Sequence, residues 1–243
     1  MLRGITSTLC ISLFFISVVN ASDDLDQIDD LLQSEFELLS EDLGSVLAYR
    51  SVSPAEPLGT VGFDIGVSVS ATKLENTDVW ETAVGSNDAD STLYMPKLHV
   101  AKGLPLGIDV GAFYTSVPNT NIKYWGGEVK YAIWEGGTAT PALAVRGSHT
   151  RLAGVDQLSV STTGLDLSIS KGLAMLTPYA GIGVHRVNSD PQEEAATVLK
   201  KETFTQSRLF AGVNISLALL NTVLEFDKTG DATSYTVKFG LRF

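Results

Sequence analysis

Three histidines, His99, His149 and His185, are the chain's candidates for proton transfer. Each needs a partner within hydrogen-bond reach before it can act in a serine–histidine–acid or aspartate–histidine site. His99 and His185 fall on the same alternating positions as Asp64, Asp109 and Asp166, so an approach between them is conceivable from pattern alone. No local motif supports it. The chain has no Gly-x-Ser-x-Gly elbow, no His-Glu-x-x-His pair and no phosphate-binding glycine loop. Asp88 and Asp90 lie in an acidic run without the sixth-position glycine and distal glutamate of a calcium loop, so a solvated surface loop is expected there. Glu193, Glu194, Lys200 and Lys201 read as a second charged loop. The one cysteine, Cys10, sits in an apolar leader, which leaves no thiol chemistry and no disulfide framework for the rest of the chain. No catalytic residue, metal site or cofactor is expected, and the chain is read as a non-enzyme.

A different set of residues carries the chemical signal. Asp64, Asp109, Glu128, Asp166, Glu225 and Asp227 alternate with apolar neighbours, and so do Lys97, Lys130, Arg146, Arg208, Lys238 and Arg242. Six acids thus share one face with six bases. Unpaired charges in a narrow interior cost several kcal/mol each, so the balance predicts mutual pairing. Glu225 and Asp227 are expected to meet Lys238 and Arg242 on the next segment. An interior filled this way should conduct ions poorly.

The elements that would position these groups follow from periodicity. Residues 1–21 read as a cleavable export signal: Arg3, an apolar run from Ile5 to Val19, then Val19-Asn20-Ala21. Residues 22–50 hold nine acids against one base, Arg50. Within them Leu25, Ile28, Leu32, Phe36, Leu39, Leu43 and Val46 recur at helical spacing, which predicts an acidic amphipathic helix over 24–48. Its apolar stripe must be covered, by the barrel mouth, by self-association or by a periplasmic partner. A helix is about 10 Å across, too wide to share a lumen already lined with long side chains. Residues 51–59, with Pro54 and Pro57, read as a linker.

From residue 60 to 243 the period is two. Ten strands are expected, near 60–73, 92–102, 107–117, 121–134, 140–152, 158–171, 176–189, 203–217, 222–229 and 233–243. Most have the length of a tilted strand that crosses a bilayer. The two long connections, 75–91 and 190–202, are the first and seventh, so they lie at one end of an up-and-down sheet; the even connections are short. In lipid such a sheet must close, because open-edge amides would go unpaired. The fold class is therefore all-β: a closed antiparallel up-and-down transmembrane β-barrel with an N-terminal helix. The near-neutral charge of residues 51–243 offers no basic stripe, and nucleic acid is excluded as a partner.

The last strand is the most specific feature. Tyr235, Val237, Phe239, Leu241 and Phe243 alternate with Thr236, Lys238, Gly240 and Arg242. This resembles the C-terminal assembly signal of bacterial outer-membrane β-barrels, and in scale the chain resembles the small outer-membrane-protein-A-type and opacity-type members. The resemblance implies an outer-membrane location, contact with its lipid, and recognition by the barrel-assembly machinery. It also implies short turns, and with an even strand count both termini, on the periplasmic side. Aromatic residues agree: Tyr94, Tyr114, Trp125 and Tyr235 are expected to face outward near the long-loop end, Phe63 and Phe243 near the other. The function expected is structural, adhesive or surface-recognition through the loops at 75–91 and 190–202, with a narrow solute channel as the alternative.

Overall fold

A computed structural model describes residues 25, 27–85, 90–116 and 122–243. The expected export signal and Asp88 lie outside the described residues. Ten strands form one closed antiparallel barrel: β1 (Phe63–Lys73), β2 (Thr92–Leu104), β3 (Ile108–Ser116), β4 (Lys123–Trp134), β5 (Ala142–Ala153), β6 (Leu158–Ser170), β7 (Leu176–Pro191), β8 (Glu202–Leu217), β9 (Leu220–Thr229) and β10 (Ala232–Arg242). Each strand pairs with its sequence neighbours. β1 closes the ring on β10, from Asp64 opposite Arg242 to Lys73 opposite Thr233. No helix among the described residues is long and apolar enough to cross a membrane.

The barrel is inside out relative to a water-soluble one. Ile65, Val67, Leu98, Val129, Leu165, Leu167, Ile182, Leu209 and Phe239 are exposed on the outside. The alternate positions turn inward and are polar or charged. Tyr94, Tyr114, Trp125 and Tyr235 are exposed, and Tyr114 lies directly opposite Trp125 across the β3–β4 ladder. At the other end Phe63 and Phe243 stack at 6.0 Å. Tyr131 and Trp134, also exposed toward that end, were not among the aromatic positions expected from the sequence. Inside, bulky rings sit over glycines of the facing strand: Tyr179 opposite Gly212 and Phe210 opposite Gly181. A Cβ at Gly181 would lie 2.3 Å from the Phe210 ring, so the wall at these points admits only glycine.

The N-terminal region departs from expectation in three ways. First, it is not one helix. A 3-10 turn at Ile28–Asp30 is followed by an extended Leu31 and Leu32, and α1 runs only over Gln33–Val46. The Leu32 N–H donates to Glu35 Oε2 at 2.8 Å, which closes the start of α1 after this break. Second, α1 stands at the mouth that carries the odd-numbered connections. It packs there on α2 (Thr77–Val84) in the β1–β2 connection, and its neighbour is the β7–β8 connection with α3 (Ala195–Val198). A helix on the short-turn side is thus excluded: the described chain begins at one mouth and ends at the other. Third, residues 47–58 run through the lumen as a non-helical strip, with a left-handed Val52 and a bend at Ala55–Glu56, so the N-terminal segment does thread the barrel. The objection from helix width does not apply, because the part that threads is not helical.

The apolar stripe is covered by the chain itself. Leu25, Ile28, Phe36, Leu39, Leu43 and Val46 are buried in a cluster with Val79, Trp80, Tyr124, Leu152 and Val187, whereas Leu32 remains 67% exposed. At Gly44 the helix lies directly against the wall. A Cβ there would lie 2.6 Å from Val187 Cγ2.

Candidate functional site

The lumen is where the structure gathers its chemistry. Asp64, Lys97, Asp109, Glu128, Lys130, Arg146, Asp166, Arg208, Glu225, Asp227 and Lys238 are all buried on the inner face; Arg242, near the short-turn end, is half-buried. Their positions follow from strand parity, since each lies an even number of residues from an inward neighbour.

Arg208 on β8 is the hub. Its Nη2 lies 3.2 Å from Glu225 Oε1, its Nη1 3.3 Å from Asp166 Oδ2, and its Nε donates to Asp227 Oδ2. Arg146 on β5 lies 2.8 Å from Glu128 and 3.7 Å from Asp166. The Arg146 N–H is not directed along the shorter of these contacts, so that pair is Coulombic rather than a formed hydrogen bond. Nearer the short turns, Lys130 pairs with Asp109 at 3.0 Å and Lys238 with Asp64 at 2.7 Å.

The expected meeting of Glu225 and Asp227 with Lys238 and Arg242 does not occur. In the β9–β10 ladder Glu225 faces Thr236 and Asp227 faces Ser234. Both acids turn instead to Arg208, on the other neighbouring strand, and Lys238 turns to Asp64 on β1. Lys97 also lies outside the pairing. Its Nζ sits 4.8 Å from the ring centres of Phe113 and Tyr124, with no hydrogen-bond partner among the described residues.

The residue that sequence reasoning missed is Arg50. It is fully buried on the threaded strip, 3.0 Å from Asp227 Oδ1. The same guanidinium donates to Ser45 O at 2.9 Å, Val46 O at 3.1 Å and Ser234 Oγ at 2.7 Å. It therefore ties off the end of α1, where carbonyls lack helical partners, and fastens that end to the wall. The available signal was its singularity: one base among nine acids in residues 22–50.

Wall side chains also hold the strip's backbone. Lys130 Nζ donates to Pro54 O and Glu56 O at 3.0 and 3.1 Å, and Arg208 Nη1 donates to Tyr49 O at 2.9 Å. Tyr124 Oη and Thr150 Oγ1 both donate to Leu47 O. Asp109 accepts from Leu58 N at 3.0 Å, and Ser51 Oγ donates to Glu128 at 2.9 Å. Beside the strip remains a cavity of about 20 Å³, lined in part by Ser51, Asp64, His99 and Arg242, about the space of one water.

The histidines fall apart as a catalytic set. His99 Nε2 is 2.8 Å from Ser68 Oγ, whereas His185 Nε2 is 3.4 Å from Asp166. His149 is exposed on the outer face, where it meets Thr163. No hydrogen-bonded serine–histidine–acid chain and no group of metal ligands occurs among the described residues.

No family model matches the chain, and no curated protein does. Among solved structures it is similar to the N-terminal β-barrel domain of Pseudomonas aeruginosa OprF, at 14% identity over 76% of this chain and 99% of that one, with a TM-score of 0.33. It is similar to Neisserial surface protein A, at 8% identity, 74% and 95% coverage and a TM-score of 0.31. It is also similar to Ail, the attachment invasion locus protein of Yersinia pestis, at 11% identity, 75% and 97% coverage and a TM-score of 0.29.

Proposed function

We propose that this chain is an outer-membrane barrel closed by its own N-terminal segment, and that its role is a non-enzymatic one, structural or in surface recognition, carried by the helical mouth. The apolar outer belt and the two aromatic bands suit a bilayer slab, and the closed ring leaves no edge amides facing lipid. One observation carries the closed-lumen reading: residues 47–58 occupy the lumen and are bound there by Arg50, Lys130, Arg208, Tyr124 and Asp109. A solute would have to break several buried polar contacts to pass, and this weighs against the narrow-channel alternative.

The test is single-channel recording of the purified full chain in a planar bilayer. Absence of steady openings is expected. Large, sustained openings in the unaltered protein would overturn the closed-lumen reading and favour the channel.

A further inference from the structure

We propose that residues 25–46 are displayed on the same membrane face as the β1–β2 and β7–β8 connections, reached through the barrel's own lumen, while the short turns and Phe243 stay on the opposite face. This rests on the proposed membrane location and adds a topology to it. The path can be followed contact by contact. β1 starts at the short-turn mouth, where the Phe63 N–H donates to Phe243 O at 2.7 Å and Gly103 N donates to Gly62 O at 3.1 Å. Going back along the chain, Leu58 meets Asp109 and Glu56 and Pro54 meet Lys130, both on the lower halves of β3 and β4. Ser51 then reaches Glu128, Arg50 reaches Asp227, and Leu47 reaches Tyr124 and Thr150. Ser45 Oγ donates to Thr229 O at the last residue of β9, already at the long-loop rim. Every step climbs toward the same mouth.

The dimensions agree. Eleven residue steps separate Leu47 from Leu58, and their fully extended limit of about 36–40 Å exceeds a hydrocarbon core of about 30 Å, which leaves slack for the bends in the strip. The ring is sealed between β1 and β10, so the lumen is the strip's path through the wall.

Beyond the mouth the segment is docked rather than trailing. Asp42 Oδ2 accepts from Asn76 N and Trp80 Nε1, both at 3.0 Å, which fastens α1 to the β1–β2 connection. Gln33 fastens it to the β7–β8 connection: Lys200 N donates to Gln33 Oε1 at 2.8 Å, and Gln33 Nε2 donates to Lys200 O at 3.1 Å. The outermost surface is then a composite of three segments, in which Gln27, Asp30, Ser34 and Glu37 are exposed beside α2 and α3. Surface recognition would use the N-terminal module together with the loops.

Cys10 is the only cysteine, so Cys10→Ala gives a thiol-free background for single-cysteine labelling. Ser34→Cys reports α1, Ala196→Cys the β7–β8 connection and Thr138→Cys the β4–β5 turn; all three positions are exposed. The probe is a membrane-impermeant sulfonated maleimide on intact cells. Each signal is normalised to labelling of the same variant after denaturation, which corrects for poor assembly. Positions 34 and 196 are expected to label together, with labelling lost at 138 until the outer membrane is opened. Labelling of 34 together with 138, apart from 196, would overturn the proposal. Equal access at all three in intact cells would also overturn it. Labelling of 138 alone would uphold the shared face of 34 and 196 and instead overturn the outward-facing reading of the mouth.

Discussion

The barrel wall and the strip it encloses face the same physical demand and meet it by opposite means. Each wall strand satisfies its backbone on two neighbours, so its inward side chains are free to pair with one another. The strip at residues 47–58 has no ladder. Its carbonyls at Leu47, Tyr49, Pro54 and Glu56 are met one at a time by Tyr124, Thr150, Arg208 and Lys130. The interior charges thus have two tasks: they neutralise each other, and they serve as donors for a backbone that has no ladder. Arg208 does both, holding three carboxylates and one strip carbonyl.

The largest expected effect comes from removing that shared residue. Arg208→Ala leaves Asp166, Glu225 and Asp227 buried without their common cation, and stripping one partner from a buried pair costs about 3–5 kcal/mol. The urea midpoint for unfolding the barrel in micelles should fall steeply, with wall and strip lost together. Arg50→Ala separates the two regions. Asp227 keeps Arg208 and Thr229, so the loss should lie near the lower end of that range, about 3 kcal/mol. It should appear as protease access to residues 47–58 and as current bursts in a bilayer, with the wall's own unfolding little changed. If Arg50→Ala lowers wall stability as much as Arg208→Ala does, the strip is an integral part of the wall and the contrast fails.

The same contrast explains what could be read in advance. The wall was legible because its signal is local: at period two, a residue's face follows from its neighbours, and Asp64, Lys130 or Arg146 can be placed inside by parity alone. Pairing partners were less legible. Glu225 and Asp227 choose between two flanking strands, and that choice depends on side-chain reach across the ladders, which sequence separation does not encode. The strip was not legible at all. Ser51 to Leu58 has no periodicity, its composition is that of a linker, and its contacts to the wall lie about 50 to 115 positions away along the chain. The helical stripe of α1 was visible, but the mouth that covers it was not, because an apolar stripe fits any apolar surface.

A smaller effect tests the fit of α1 in that mouth. Alanine is favoured over glycine within a helix by about 1 kcal/mol, so Gly44→Ala would stabilise a free α1. Here the added methyl meets Val187 Cγ2 at 2.6 Å and Gln206 Oε1 at 2.8 Å. Overpacking of this kind costs about 1–3 kcal/mol, and Val187 is stiff on its strand, so a net loss is expected. Val187→Ala should restore the loss in the double variant, since it frees the space while the helix preference remains. Additive losses in a thermal-shift cycle would place α1 elsewhere.

The smallest expected effect is a titration of the same mouth. Burial pushes the Asp42 carboxyl up from its ordinary value, and the hydrogen bonds from Asn76, Trp80 and Glu75 only partly offset this. Glu41 is raised as well, by burial and then by Glu37, Asp231 and Asp42. Glu75, Asp78 and Glu81 on the facing connection add no cation. An acid whose folded value is raised binds its proton more tightly in the docked state, so docking is strongest below the ordinary carboxylate range. That contribution is lost as pH rises through the raised values. The mouth should therefore loosen as pH climbs above the ordinary carboxylate range. Trp80 reports this directly, because its buried indole N–H donates to Asp42, and Trp125→Phe with Trp134→Phe removes the other two indoles, both exposed. Quenching of Trp80 by acrylamide should increase with pH in that window. Asp42→Asn should flatten the dependence. Docking at low pH should change little, because the neutral amide stands in for the protonated carboxyl that predominates there. If the slope survives Asp42→Asn but disappears in Glu41→Gln, the titration belongs to the rim carboxylate, and the Asp42 fastening holds α1 without sensing pH.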